Sequence, residues 1–286
     1  MWRALAFFPL VITAQSLQEY RVETVSSIHK FVEGPVWFGK DNTLLYSDIP
    51  ANKIYSLDAK GREVYREDSG GANGNAVDDK GRLYTCEGHA RRVTRTDKKG
   101  KVEVLADSFE GKKLNSPNDI VVTRSEHVYF TDPAFGSAAD GKELPFYGVF
   151  HISPKGVLSA ALRLQTRPNG LGLSPDSSIL YVVNSDERNV RAYDVQKDGS
   201  LTNERMFVAE VEGVPDGIDV DDKGNVYLAA ATVLVYSPKG ERMGSITIPE
   251  KPSNLAFGDG DLGALYVTAR STLYRVRFGA KGVSLY

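Results

Sequence analysis

Six residues share a side-chain oxygen and a place in a recurring motif: Glu33, Asn73, Asn118, Asn169, Asp216 and Asn254. Each opens a segment that continues with an apolar alternation, a polar Asp/Gly/Lys/Ser turn, an apolar residue and a tyrosine. The tyrosines are Tyr46, Tyr84, Tyr129, Tyr181, Tyr227 and Tyr266, standing 13, 11, 11, 12, 11 and 12 residues beyond their anchors. None of the six anchors is His, Cys, Lys or Arg. If folding brings them together, they form a ring of oxygen acceptors with two carboxylates, Glu33 and Asp216. Carboxylates held close in a desolvated place repel each other, so such a ring calls for a cation. Carboxylate and amide oxygens suit a hard divalent ion. Calcium tolerates an irregular cage better than magnesium does. A ring without His or Cys disfavours zinc.

Asn-Gly and Asp-Gly are also turn dipeptides. Taken singly, any one anchor reads as an ordinary turn residue. The shared register is what argues otherwise, together with a glutamate at the first position, which turn chemistry does not require. The anchors lie 40, 45, 51, 47 and 38 residues apart, the spacing of a repeat. VDDKGRLY (77–84) and VDDKGNVY (220–227) nearly coincide. Period-two alternation predicts strands throughout. Each unit reads as two strands around a tight turn, then a third such as RRVTRTD or NVRAYDV, and often a fourth such as VEVLAD. Four-stranded antiparallel units of this length are propeller blades. The prediction is an all-β, six-bladed β-propeller. The segment YRVETVSSIHKF supplies the outer strand of the last blade, which joins the termini and hides an edge. In a propeller the innermost strand of each blade lines the axial channel, so residues far apart in sequence converge there.

The 286 residues carry 35 basic and 37 acidic side chains. No basic run of nucleic-acid type appears, which argues against a phosphate-backbone partner. A single cysteine, Cys86, excludes an internal disulfide framework. Residues 1–16, MWRALAFFPLVITAQS, have the layout of a secretory leader, with cleavage after Ala14 or Ser16. A buried first strand is the alternative, and Pro9 counts against it. The expectation is an exported protein, periplasmic or extracellular, whose residues 17–286 form one propeller domain. No later run has the length and apolarity of a membrane span.

Several words go beyond the generic pattern: VEGPVW (32–37), CEGHARRVTR (86–95), LNSPNDIVV (114–122), YFTDPAFG (129–136), RPNGLGLSPD (167–176) and VPDGIDVD (214–221). Together they resemble the SMP-30/gluconolactonase family over nearly the whole chain after the leader, most weakly in the last blade. The resemblance implies a six-bladed propeller with a divalent ion, usually calcium, on its axis. It implies Glu33, Asn169 and Asp216 as direct ligands. Asn118 is implied as a ligand or substrate contact, and Asn73 as a funnel position facing substrate. Some mammalian-type members have Arg two residues before the Asn that matches Asn118. Ser116 stands here, which argues against assuming the same sugar preference. Members act mostly as sugar lactonases, and some relatives hydrolyse phosphotriesters.

The expected function is therefore calcium-dependent hydrolysis of a sugar-type lactone. The alternatives are a binding platform with a structural ion and a phosphotriesterase-like hydrolase. Asp216 is the candidate base for the attacking water, and Asp119 and Asp186 are its rivals. No G-x-S-x-G elbow supports a serine nucleophile. His89 is a candidate for the funnel mouth. Cys86 reads as a small buried residue. The insert AFGSAADGKELPFYG (134–148) has the make-up of a lid. Its Phe135, Phe146 and Tyr147 either cover a substrate or cap the blade.

Overall fold

The computed structural model describes residues 20–283, and the leader expected at residues 1–16 lies outside them. Six four-stranded antiparallel sheets account for nearly all of the strand structure. From the inside outward, blade 1 is Val32–Phe38, Thr43–Asp48, Lys53–Asp58 and Gly61–Arg66. Blade 2 is Ala72–Val77, Leu83–Glu87, Arg92–Thr96 and Val102–Ala106. Blade 3 is Ile120–Val122, Val128–Asp132, Tyr147–Ile152 and Leu158–Leu164. Blade 4 is Pro168–Leu173, Ile179–Asn184, Asn189–Val195 and Leu201–Val208. Blade 5 is Ile218–Val220, Val226–Ala229, Val233–Tyr236 and Arg242–Ile246. Blade 6 is Asn254–Gly258, Ala264–Ala269 and Thr272–Arg277, completed on the outside by Arg21–Ser26. The closure expected from the N-terminal segment is thus present, with Arg21 opposite Arg277. Helix among the described residues is limited to two short 3-10 turns, Gly39–Asp41 and Gly136–Gly141. No helix there is long and apolar enough to cross a membrane.

The alternation of each strand gives it two apolar faces, and each face meets the next blade. Apolar clusters accordingly fill every blade junction. One joins Leu45 and Ile54 to Val77 and Leu83. Another joins Tyr84 and Cys86 to Phe130 and Phe150. A third joins Tyr129 and Val149 to Leu171 and Leu180. The series continues between blades 4 and 5 and between 5 and 6, and closes with Tyr266 and Leu273 against Val32 and Leu44. A ring of junctions leaves no blade with an apolar face in water, so the ring closes for the same reason that each strand forms.

The repeat tyrosines have a structural task. The hydroxyls of Tyr84, Tyr227 and Tyr266 donate to Asp78, Asp221 and Asp259 at 3.0, 3.2 and 2.7 Å. Asp78 and Asp221 also accept main-chain N–H groups of their own hairpins. The DDKG words are therefore hairpin turns, at the far end of the inner strands from the anchors.

Below the anchors the inner strands enclose an axial cavity of about 370 Å³, lined by Val77, Val122, Leu173, Val220 and Phe257 among others. At the hairpin end the chain crosses its own channel. Lys281 and Gly282 bond Asp222 and Leu262, at 2.8 and 2.9 Å, and Val283 faces the cavity. Access to the anchors is from the opposite end.

Candidate active site

Each anchor sits at the start of an inner strand, and at five of them the strand is bulged. In blade 1 the pairing passes from Glu33–Ser47 to Val36–Leu45, so one residue is extra. The same slip occurs between Ala72 and Asn75, and between Pro168 and Leu171. In blade 3, Asn118 N–H donates to the Thr131 carbonyl while Thr131 N–H donates to the Asp119 carbonyl, both at 2.9 Å. In blade 5, Asp216 and Gly217 share Ala229 in the same way. A bulge bends the strand and re-aims a side chain. Here it sets each anchor at the channel mouth. Blade 6 pairs regularly, Asn254 with Thr268 and Leu255 with Val267.

The glycine after the anchor sets how closely neighbouring blades approach. A Cβ on Gly34 would lie 2.0 Å from the Asn73 carbonyl oxygen, and one on Gly170 would lie 2.4 Å from that of Asp216. Gly74 N–H donates to the Asn118 carbonyl at 2.7 Å, and Gly170 N–H to the Asp216 carbonyl at 3.0 Å. Anchor backbones thus touch directly, blade to blade. Blade 3 has Asp119 at this position. Its carboxylate spans the gap instead and accepts Leu171 N–H of blade 4 at 2.9 Å.

Three carboxylates meet at the axis. Glu33 is buried, and its carboxyl is pushed well above the usual range by burial first and by Asp216 next. Burial raises Asp119 to about 7 and Asp216 to about 6. Lys251 and the Asn169 amide partly offset the rise at Asp216, which keeps some exposed surface. Glu33 Oε2 accepts Gly34 N–H at 3.1 Å. Asn254 spends its carbonyl on Leu255 N–H at 2.8 Å, and its side chain lies within hydrogen-bonding reach of Glu33 and Asp119. Asn169 does the reverse. Its amide nitrogen donates to Ser185 Oγ at 3.0 Å, and Ser185 donates to the Pro215 carbonyl at 2.7 Å, so the Asn169 oxygen is the end left for a ligand.

This donor set fits a hard divalent cation. Mutual repulsion raises the proton affinity of Glu33, and a dication would relieve it. No group of three His, Cys, Asp or Glu side chains among the described residues makes a metal site by itself. A cation would therefore need amide oxygen beside Glu33 and Asp216.

The remaining candidates separate. Asn73 and Asn118 are half-buried at the same mouth. His89 is exposed there, its ring lying over Gly71 in the loop that leads to Asn73. Asp186 is not in the ring. It is exposed and held by Arg167, which lowers its carboxyl. Cys86 is fully buried and its thiol is pushed well up, chiefly by burial, so it is no nucleophile. Within the insert, Phe146 is 4% exposed and belongs to the core with Phe109 and Phe150. It packs into the blade core. Tyr147 opens the third strand of blade 3, and Phe135 lies under Arg167. Sequence reasoning missed Ser185 and Lys251. It also missed the hydroxyls that brace the inner strands, such as Ser47 and Thr131. Those two follow the repeat tyrosine by one or two residues, which is the signal available.

Residues 31–271 match the family model described as SMP-30/gluconolactonase/LRE-like region. A gluconolactonase of Zymomonas mobilis is 34% identical over 90% of this chain and 81% of its own length. The regucalcin of Bos taurus is 26% identical over 82% of each. The solved structure of a gluconolactonase from Xanthomonas campestris superposes with a TM-score of 0.85 at 33% identity, covering 93% of this chain and 92% of that one. The blades, the bulged anchors and these matches lead to one assignment: the chain belongs to the SMP-30/gluconolactonase/LRE-like family.

Proposed function

We propose that this protein is a metal-dependent lactonase that opens the ester ring of a sugar-type lactone, with calcium as its axial ion. The observation that carries the reading is the convergence of Glu33, Asp216 and the Asn169 oxygen at one open end of the channel. The gluconolactonase relatives supply the reaction class. The all-oxygen donor set favours calcium over zinc, and the regucalcin relative agrees with a divalent ion.

Glu33, Asn169 and Asp216 would hold the ion, with Asn118 beside them as ligand or substrate contact. The bound ion supplies Lewis acidity toward the lactone carbonyl and charge stabilisation of the tetrahedral oxyanion. Asp216 is the base, since it keeps some exposed surface at the channel mouth, although the ion beside it would offset the rise that burial gives its carboxyl. Asp119 is raised further, yet its Oδ2 is engaged by Leu171 N–H behind the ring. It holds the neighbouring blade in place. Asn73 and His89 face the substrate from the blade-2 side. The leader over residues 1–16 supports export, checked by sequencing the N-terminus of the mature protein.

The test is hydrolysis of gluconolactone with and without EDTA, in the wild type and in Glu33→Gln. Turnover should vanish in EDTA and return with calcium. Glu33→Gln should weaken calcium binding by a hundredfold or more while the fold persists. Turnover indifferent to chelation, or unchanged calcium affinity in the variant, would sink the reading.

A further inference from the structure

Two residues upstream of each anchor the chain passes through the rim of the funnel: Phe31, Gly71, Ser116, Arg167, Val214 and Pro252. Arg167 is the one charged side chain of the six, and its position is built. Its main-chain N–H donates to Asp186 at 2.9 Å, and Nε lies 3.0 and 3.1 Å from the two carboxylate oxygens. Nη2 bonds Asp186 as well. The guanidinium carbon stands 4.8 Å from the centroid of Phe135, which the blade-3 insert carries across to blade 4. The Arg167 carbonyl accepts Ser185 N–H at 3.2 Å, and Ser185 Oγ accepts the amide of Asn169. The main chain of Arg167 is thereby tied through Ser185 to a proposed ligand of the ion.

The pair is bidentate and the guanidinium is stacked on Phe135, which fixes the direction of the fork at the rim beyond what an ordinary exposed ion pair does. The Arg167 and Asp186 side chains remain 35% and 30% exposed. Nη1 takes no part in the bonds to Asp186, so it can donate outward. The pair is also net neutral, because Asp186 is held ionised by Arg167. A bare guanidinium selects carboxylates and phosphates. A neutralised one, offering N–H donors beside carboxylate lone pairs, selects hydroxyl groups.

We propose that Arg167, fixed by Asp186 and Phe135, is a substrate-positioning residue of the funnel rim that binds the ring hydroxyls of a neutral, hydroxylated lactone. The proposal deepens the lactonase reading and rests on it for the reaction. Its test pairs glucono-δ-lactone with δ-valerolactone, the same ring without hydroxyls, in the wild type, Arg167→Ala and Arg167→Gln. Binding of the neutral hexitol sorbitol is measured alongside. Arg167→Ala should raise KM for gluconolactone about tenfold more than for δ-valerolactone, the size of one good hydrogen bond, with kcat little changed. Sorbitol binding should weaken by a similar factor. Arg167→Gln keeps the packing on Phe135 and loses the fork, so it should show the same split if the alanine variant folds poorly. Equal losses on both lactones, or sorbitol binding unchanged in both variants, would overturn the proposal. If the wild type turns over neither lactone, the lactonase reading fails, and the sorbitol comparison still decides the role of Arg167.

Discussion

Without the proposed axial cation the protein should become less stable as the pH rises. In the metal-free ring Asp216 is held at about 6 and Asp119 at about 7, against an ordinary value of 3.8 for each. Burial is the main cause at both. A carboxyl raised in the folded state binds its proton more tightly there than in the unfolded chain. Its contribution is therefore present at low pH and is lost as the pH climbs from about 4 through about 6 to 7. Each tenfold difference in proton affinity between the folded and unfolded chain is worth ~1.4 kcal/mol, so Asp216 alone costs ~3 kcal/mol by pH 8. Asp119 adds at most ~4 kcal/mol, an upper limit because interacting carboxyls do not titrate independently. For a domain of this size 1 kcal/mol moves the melting temperature by ~2 °C. Part of that loss is complete by pH 4.5, so between pH 4.5 and pH 8 these two groups should lower the melting temperature of the metal-free protein by ~4 to 10 °C. Calcium, binding only the folded state, should restore the difference.

The assay is thermal unfolding from pH 4.5 to 8.5 in EDTA and in calcium, read as the difference between the two at each pH. That difference cancels titrations elsewhere in the chain. Asp216→Asn removes one of the repelling charges. In EDTA at pH 8 it should melt above the wild type, and it should gain less from calcium. If the metal-free profile tracks the calcium profile at every pH, or if Asp216→Asn melts no higher than the wild type in EDTA, the carboxylate-ring account is wrong.

Other expectations concern the scaffold. The buried pair His127–His151, joined at 2.7 Å, holds His151 down at about 4, through burial first and His127 next. A depressed histidine stabilises the fold above about pH 6.5 and loses up to ~3 kcal/mol as the pH falls to about 4. His151→Gln should flatten that acid limb of the melting profile in calcium. Gly34→Ala places a Cβ 2.0 Å from the Asn73 carbonyl at a φ of +48°, so it should cost ~3 kcal/mol or more and weaken calcium binding. Gly141→Ala, with no atom within 4 Å of the new Cβ, should be close to neutral in the same melting and binding assays. Phe146→Ala should lower stability by ~3–5 kcal/mol. A core role predicts an unchanged KM for gluconolactone, whereas a lid role predicts a raised one.

The blades were legible in the sequence because period-two alternation and the turn words are local, and in three blades a local bond reinforces them. An aspartate opening the hairpin is bonded by a tyrosine six or seven residues later, as in Asp78–Tyr84, Asp221–Tyr227 and Asp259–Tyr266. Partners that lie in another blade or strand leave no such local trace. Asp119 reads as a free carboxylate beside Asn118, but its oxygen serves Leu171, 52 residues on. Asp186 reads as a possible base, but Arg167, 19 residues earlier, holds it. Phe146 reads as part of a polar insert, but it is already inside blade 3.

The anchors themselves show why a short motif was ambiguous. Asn-Gly and Asp-Gly are read as turns because glycine admits unusual backbone. At Gly74, Gly170 and Gly217 the backbone is not left-handed. The glycine is needed because the next blade leaves no room for a Cβ, and the bulge is what turns the anchor to the axis. Blade 6 tests this account from within the molecule. It has Leu255 where the glycine would stand and no bulge at Asn254. Its anchor points its carbonyl back to Leu255 N–H and presents the amide to Glu33 and Asp119. With neither glycine nor bulge, the residue in ligand register turns its carbonyl away from the axis and leaves its amide toward the two carboxylates. The weakest word of the repeat thus marks a different task at the same ring.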